Sequence, residues 1–255
     1  MRRYGWVPDC PDQRDHVCKV SRLAPENLPS GVDPRAGQPP IQNQGDLGSC
    51  TGHGMAGSLE CGNVRNGERL VLLSRLMAYY NARRLEGTTD YDAGATIRGV
   101  VKAAAKWGCC AESLWPYNVE LFRDQPPRVC YSDAKSSLAL KYERVQQNLN
   151  SIKTVLAAGF DVVFGFTVYS SFESDEVAKT GILPMPASDE SALGGHCVRA
   201  IGYTDEALSD IPANHFIVAN SWGAEWGLKG YFAMPYGYLT NEDLASDLWT
   251  IRRVA

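Results

Sequence analysis

The chain divides by the period of its hydrophobic positions. From Cys50, small residues run to Gly57, and Leu59 and Val64 then follow at near-helical spacing. Ser74 to Glu86 (SRLMAYYNARRLE) reads as an amphipathic helix stopped by Gly87. Thr96 to Trp107 (TIRGVVKAAAKW) reads as another, stopped by Gly108, and a fourth runs from about Leu149 to Ala158, ahead of Gly159. After that the period falls towards two. DVVFGFTVY, HCVRAIGY, HFIVANSW and KGYFAMP are short β-rich runs separated by loops, and WTIRRV closes the set. Ahead of Cys50 neither period is sustained. Residues 1–27 mix prolines and charges and read as an extended arm, while Pro29, Pro34, Pro39 and Pro40 keep the next stretch from coiling. Helices first and strands after predict an α+β protein of two lobes. The helical lobe is expected over about 40–135 and an antiparallel, β-barrel-like lobe over about 136–255, with a cleft between them.

Composition narrows the classes of function. At 255 residues, with 44% hydrophobic and 21% charged side chains, the chain can bury one substantial core or a core split into two lobes. Its net charge of -4 provides no basic excess to neutralise phosphates, so a nucleic-acid partner is not expected. No apolar run is long enough for a membrane helix. Trp6, Pro8, Asp9 and Asp12 interrupt the apolar stretch a signal peptide needs, so a secreted or periplasmic location would require a leader already removed. The eight cysteines contain no CxxC pair, and neither a metal nor another cofactor is expected. A monomer is expected.

Three segments could carry chemistry. The first is QGDLGSCTGHG, in which Cys50 enters a helix from a glycine-rich turn. Unpaired amides at a helix start favour negative charge, so they favour a thiolate and can bind an oxyanion. Gly52, Gly54 and Gly57 also satisfy a literal GxGxxG, but polar IQNQGD precedes it where a dinucleotide site needs a buried strand. Each of these glycines costs a helix roughly 1 kcal/mol relative to alanine, so another element is expected to pack closely on it. The second segment is GGHCVRAIGY, where a glycine pair brings His196 to a strand mouth. The third is HFIVANSWGAEWG, where Asn220 could accept an imidazole N–H and fix the ring, with Trp222 to cover that bond. Of the other histidines, His16 lies in the arm without a partner motif, His53 reads as a packed neighbour of Cys50, and His215 opens a strand.

Taken together, these segments resemble the papain-like cysteine peptidases from about Leu28 to the end of the chain. His196 follows Cys50 by roughly 150 residues, an order and separation the family uses. LPSGVDPR is similar to the start of the mature enzymes. YGWVPDCPDQRD, LSRLMAYYNARRLEG and AESLWPY resemble divergent bacterial members of the xylellain type.

The resemblance implies a cysteine endopeptidase that works through a thioester acyl-enzyme, with peptides or proteins as substrates. Cys50 would be the nucleophile, held as thiolate by the imidazolium of His196; Asn220 would orient His196 and Trp222 would shield their bond. Gln44 would join the Cys50 N–H in an oxyanion hole. Substrate would lie extended against Ala93, Gly94, Ala95 and Gly195. An apolar side chain two positions before the cut would be read by a pocket with its floor near Leu244 to Trp249.

Leu47 replaces the usual partner cysteine and Thr51 the usual aromatic. The arm is too short for the family's helical inhibitory domain, but its place in the chain, with Trp6, Cys10 and Cys18, suggests that residues 1–27 pack beside or over the cleft and restrain activity, the alternative being an inert terminal arm. The alternatives are a non-catalytic peptide-binding protein on the same scaffold and an acyl transferase or ligase that uses an amine as acceptor.

Overall fold

The structure is a computed structural model that describes residues 4–20 and 27–254. Its helices are α1 (Cys50–Arg65), α2 (Arg75–Glu86), α3 (Ile97–Trp107), α4 (Arg128–Asp133), α5 (Leu149–Ala157), α6 (Asp175–Thr180) and α7 (Tyr236–Thr240). Its strands are β1 (Trp6–Val7), β2 (Gly31–Val32), β3 (Ala95–Thr96), β4 (Ala139–Arg144), β5 (Val162–Tyr169), β6 (Ala192–Thr204), β7 (His215–Ala219), β8 (Tyr231–Pro235) and β9 (Ala245–Val254). The four helices read from periodicity form where expected. Gly87 ends α2 in the left-handed conformation that glycine adopts without strain.

Seven strands form one antiparallel sheet in the order β4-β9-β5-β6-β7-β8. β5 leaves β6 opposite Ala200, and β2 pairs with β6 further along, at Tyr203 and Thr204. The sheet does not close into a barrel, and the physical reason lies at its two edges. Arg144 of β4 is taken by the arm, whose His16 O accepts the Arg144 N–H at 2.7 Å and whose Cys18 N–H donates to Arg144 O at 2.7 Å. At the other edge, Ala233 of β8 exchanges hydrogen bonds with Gly181 and Leu183. With both edges satisfied in this way, neither strand pairs with the other.

Alternation along β5 explains how the two cores meet. Val162, Phe164, Phe166 and Val168 face one large cluster with β7, β8 and α5, whereas Val163 joins α1, α2 and α3 in another. Helix α1 lies directly on the sheet, and its glycines permit the approach. A Cβ on Gly54 would touch Cys197 Sγ at 3.3 Å, and one on Gly57 would lie 2.6 Å from Arg199 Nε. These glycines therefore serve packing, which offsets their cost to the helix.

Arg199, pressed against Gly57, is buried with Asp161 as its ion-pair partner. Removing one member of such a pair strands a buried charge. Asp161→Ala is expected to destabilise the fold by about 3–5 kcal/mol, as measured by urea unfolding. A loss under about 1 kcal/mol would mean that solvent reaches the guanidinium.

Candidate active site

Cys50 is the first residue of α1 and is fully buried. The turn that presents it is tied on several sides. Gln44 N–H donates to Ser221 O at 2.8 Å, and Tyr117 Oη donates to Gln44 O at 2.8 Å. Gly48 N–H donates to the Asp92 carboxylate at 3.0 Å, and Tyr79 Oη reaches the same carboxylate at 2.5 Å. Tyr79 Oη in turn accepts Gly94 N–H at 3.0 Å, so one aspartate fixes both the nucleophile turn and the Ala93–Ala95 loop. Asp92 opens the loop expected to meet substrate, but its tie to the nucleophile turn was not foreseen, because a DAG turn ahead of a helix has ordinary local uses.

His196 lies on β6 opposite Phe166. Its Nε2 is 2.8 Å from Asn220 Oδ1. Trp222 stacks on the imidazole, with ring centroids 5.0 Å apart and planes 25° apart, and Phe166 and Phe172 flank it. The backbone N–H of the next residue, Cys197, lies close enough to stabilise the Cys50 thiolate, and a Cβ on Gly54 of α1 would touch Cys197 Sγ at 3.3 Å, so the histidine strand packs at the start of α1. Gln44 is buried nearby: its Oε1 accepts Ser221 Oγ–H at 2.6 Å, and its Nε2 donates to Leu47 O at 2.9 Å. The fold thus brings Gln44, Cys50, His196, Asn220 and Trp222 together from three separate segments.

The other histidines lie elsewhere or do other work. His53 is buried, bonded through Nδ1 to Ser49 O at 3.1 Å and set edge-on to Tyr117. Burial, with Arg75 adding to it, pushes its pKa down to about 3, so it is neutral at ordinary pH. His215 bonds Ala213 O at 2.8 Å at the start of β7, and His16 pairs the arm with β4 through its backbone.

The arm crosses this site. The Gly5 backbone N–H lies close enough to act on the Cys50 thiol, and the Gly5 carbonyl accepts Ala95 N–H at 2.8 Å. β1 then runs parallel to β3, pairing Trp6 with Ala95 and Val7 with Thr96. The approach is close enough that a Cβ on Gly5 would lie 1.7 Å from Gly48 O, and one on Gly94 would lie 2.3 Å from Gly5 O. Tyr4 sits against Gly194, with its ring edge-on to His196 at 6.2 Å. Trp6 fills a pocket against Gly165 and Gly195. Ala95, Gly94 and Gly195, expected to line a substrate path, therefore all touch the arm.

Further along the arm, two carboxylates hold it down. Asp9 bonds Arg144 Nη2 at 2.8 Å, Trp249 Nε1 at 3.0 Å and the Arg98 backbone N–H at 3.0 Å. Asp15 binds Arg98 Nη2 at 2.5 Å and Arg144 Nε at 2.8 Å.

Burial beneath the arm changes the thiol. Desolvation pushes the Cys50 pKa up to about 11, outweighing the N–H groups of Cys197, Gly5, Thr51 and Cys50 itself. A thiolate was the expectation from the helix start, and burial acts against it, favouring the protonated thiol.

The sign of the pH dependence follows from linkage. Closure binds a proton at sulfur, so its contribution is lost as pH rises towards 11. Alkylation of Cys50 in the intact chain at pH 7 is expected to run at least about tenfold slower than that of the exposed Cys10. Iodoacetamide labelling followed by peptide mapping would measure both, and equal rates would contradict the covered-thiol reading. All eight cysteines are free thiols, so the sulfur of Cys50 is available for chemistry.

Comparison with known proteins places this geometry. The chain is 38% identical to a peptidase C1-like protein of Acanthamoeba polyphaga mimivirus, over 99% of its own length and 88% of the relative's. It superposes on the crystal structure of xylellain, a cysteine protease from Xylella fastidiosa, with a TM-score of 0.89 and 34% identity, covering 99% of this chain and 96% of that one. A digestive procathepsin L 3 of Tenebrio molitor shares the fold, with a TM-score of 0.69 at 21% identity over 95% of this chain and 74% of that one. Residues 28–248 match the family described as papain family cysteine protease. The chain belongs to the papain family of cysteine proteases and is a hydrolase of that family.

Proposed function

We propose that the chain is a self-covered cysteine endopeptidase in which Cys50, His196 and Asn220 perform amide hydrolysis. The observation that carries this reading is the His196–Asn220 bond at the strand mouth, beside the start of α1 where Cys50 lies buried. With Nε2 held by Asn220, the opposite ring nitrogen, Nδ1, exchanges the proton with Cys50. Once the cleft is open, thiol proton transfer to His196 gives a thiolate–imidazolium pair. Sulfur attacks the peptide carbonyl, and the oxyanion meets the Cys50 N–H and the Gln44 side-chain amide. The imidazolium protonates the leaving amine, and water then hydrolyses the thioester with His196 as base.

Trp222, stacked on the imidazole, keeps water from the His196–Asn220 bond. The Ala93–Ala95 loop and Gly195 would receive the substrate backbone where Gly5 and Trp6 now lie. In the covered state the arm restrains this activity, because it occupies that path and keeps the thiol protonated.

The test combines an epoxide inactivator of cysteine peptidases with a peptide library. Labelling is expected at Cys50 alone among the eight thiols, with cleavage by wild type and none by Cys50→Ala. A wild-type chain that neither takes the label at Cys50 nor cleaves any peptide would sink the proposal.

A further inference from the structure

A small cavity of about 20 Å³ adjoins Asn220, with His53, Glu60, Arg75 and Ser221 among its other lining residues. Three of these side chains carry a buried polar atom with no hydrogen-bond partner among the described residues: His53 Nε2, Arg75 Nε and Asn220 Nδ2. The residues themselves are 7%, 3% and 6% exposed. Each such atom is costly to bury unpaired, so three around one cavity point to a common partner.

Their chemistry is complementary. His53 Nδ1 meets Ser49 O at 3.1 Å, and a carbonyl only accepts, so Nδ1 carries the ring proton and Nε2 is an acceptor. The ring stays neutral at ordinary pH because burial and Arg75 disfavour its charged form. Asn220 Oδ1 takes both His196 Nε2 and the Ser221 backbone N–H at 2.8 Å, which fixes Nδ2 as the donor end of the amide. Glu60 and Leu73 O hold the Arg75 guanidinium through its Nη atoms, at 3.0 and 2.6 Å, and leave the Nε–H over. Two donors and one acceptor suit a single water, which accepts twice and donates once. The cavity has room for one.

We infer that His53 is a positioning residue for catalysis, holding the Asn220 amide through a buried water that Arg75 also binds. The inference deepens the peptidase reading and rests on it. His196 keeps its ring direction while Asn220 presents Oδ1 to Nε2, and an amide anchored at both ends swings less than one anchored at Oδ1 alone. His53 acts on the chemistry through Asn220, so its loss is expected in kcat rather than in KM.

Two measurements on the full chain test this. Kinetics on one cleaved peptide compare wild type, His53→Phe and His53→Gln. His53→Phe keeps an aromatic ring but offers the water no acceptor, and kcat is expected to fall about tenfold with KM unchanged. His53→Gln can place its side-chain oxygen near the position of Nε2, and kcat should recover to within about threefold of wild type. A packing role alone gives the reverse order, with phenylalanine the better substitute. That order, or a His53→Phe chain as fast as wild type, overturns the inference.

In parallel, a crystal structure of the wild-type chain is expected to show a water within about 3.2 Å of both His53 Nε2 and Asn220 Nδ2. A dry cavity, or a water that reaches only one of the two, overturns the inference whether or not the variants fold or any peptide is cut. Epoxide labelling of Cys50 reads the peptidase assignment separately, so failure of one is distinguishable from failure of the other.

Discussion

Replacing Cys50 with serine is expected to lower kcat/KM on a cleaved peptide by on the order of 10⁴-fold or more, because groups that act as one unit fail together when one is lost. A serine hydroxyl in the same place is far less acidic than a thiol, and His196 cannot ionise it to a comparable extent. The fold should survive, since the change keeps the shape of the side chain at the start of α1. His196→Ala should cost a similar factor, and the double variant should be little worse than either single one. That non-additivity is the discriminating result, obtained by measuring all three variants on one peptide. Additive losses would place Cys50 and His196 in separate roles and end the ion-pair mechanism.

The second large effect concerns the arm. Trp6→Ala removes the indole from the pocket and its bond to Asp247. Truncating a large aromatic in a packed site costs about 3 kcal/mol, which would raise the open fraction roughly a hundredfold. Labelling of Cys50 by an epoxide should accelerate by that factor, and turnover should rise with it. Gly5→Val should act in the same direction for a different reason, since its Cβ would collide with Gly48 O. If both variants fold, as circular dichroism would report, and neither labels faster than wild type, the arm does not control access to Cys50.

How much of this was legible in the sequence depended on how far apart the cooperating residues lie. α2 and α3 were readable because periodicity and a terminal glycine are local signals, and Cys50, His196 and Asn220 were readable because each stands in its own compact motif. The three glycines of α1 posed a cost in the sequence, and only the sheet lying against Gly54 and Gly57 explained it. β4 was missed because ALKYER is short, charged and half exposed, and it is a strand through its pairing with β9 and the arm. The Trp6 pocket was anticipated only through the family resemblance, as Gly195 and a floor near Leu244 to Trp249, and no local signal singled out Gly165 or Asp247. Gly165, Gly195 and Asp247 meet only through the pairing of β5 with β6 and β9, and a lone glycine in a strand has many explanations. The open sheet was equally hidden, because its edges are satisfied by segments far from them in sequence.

The attachment of the arm at two separate places has a kinetic consequence. Residues 16–18 complete the edge of β4, while residues 4–9 cover the nucleophile, and the short span between them acts as a tether. With the tether intact, the covering segment returns to the cleft as an intramolecular event, at an effective concentration on the order of millimolar for a short flexible link. On the proposed function, an incoming peptide would compete against that concentration, so inhibition would be reversible and independent of how dilute the enzyme is. A single cut between Cys10 and Gln13 ends this without disturbing the strand edge. The freed segment then dilutes into solution, and a reversible equilibrium becomes a one-way commitment to the open state.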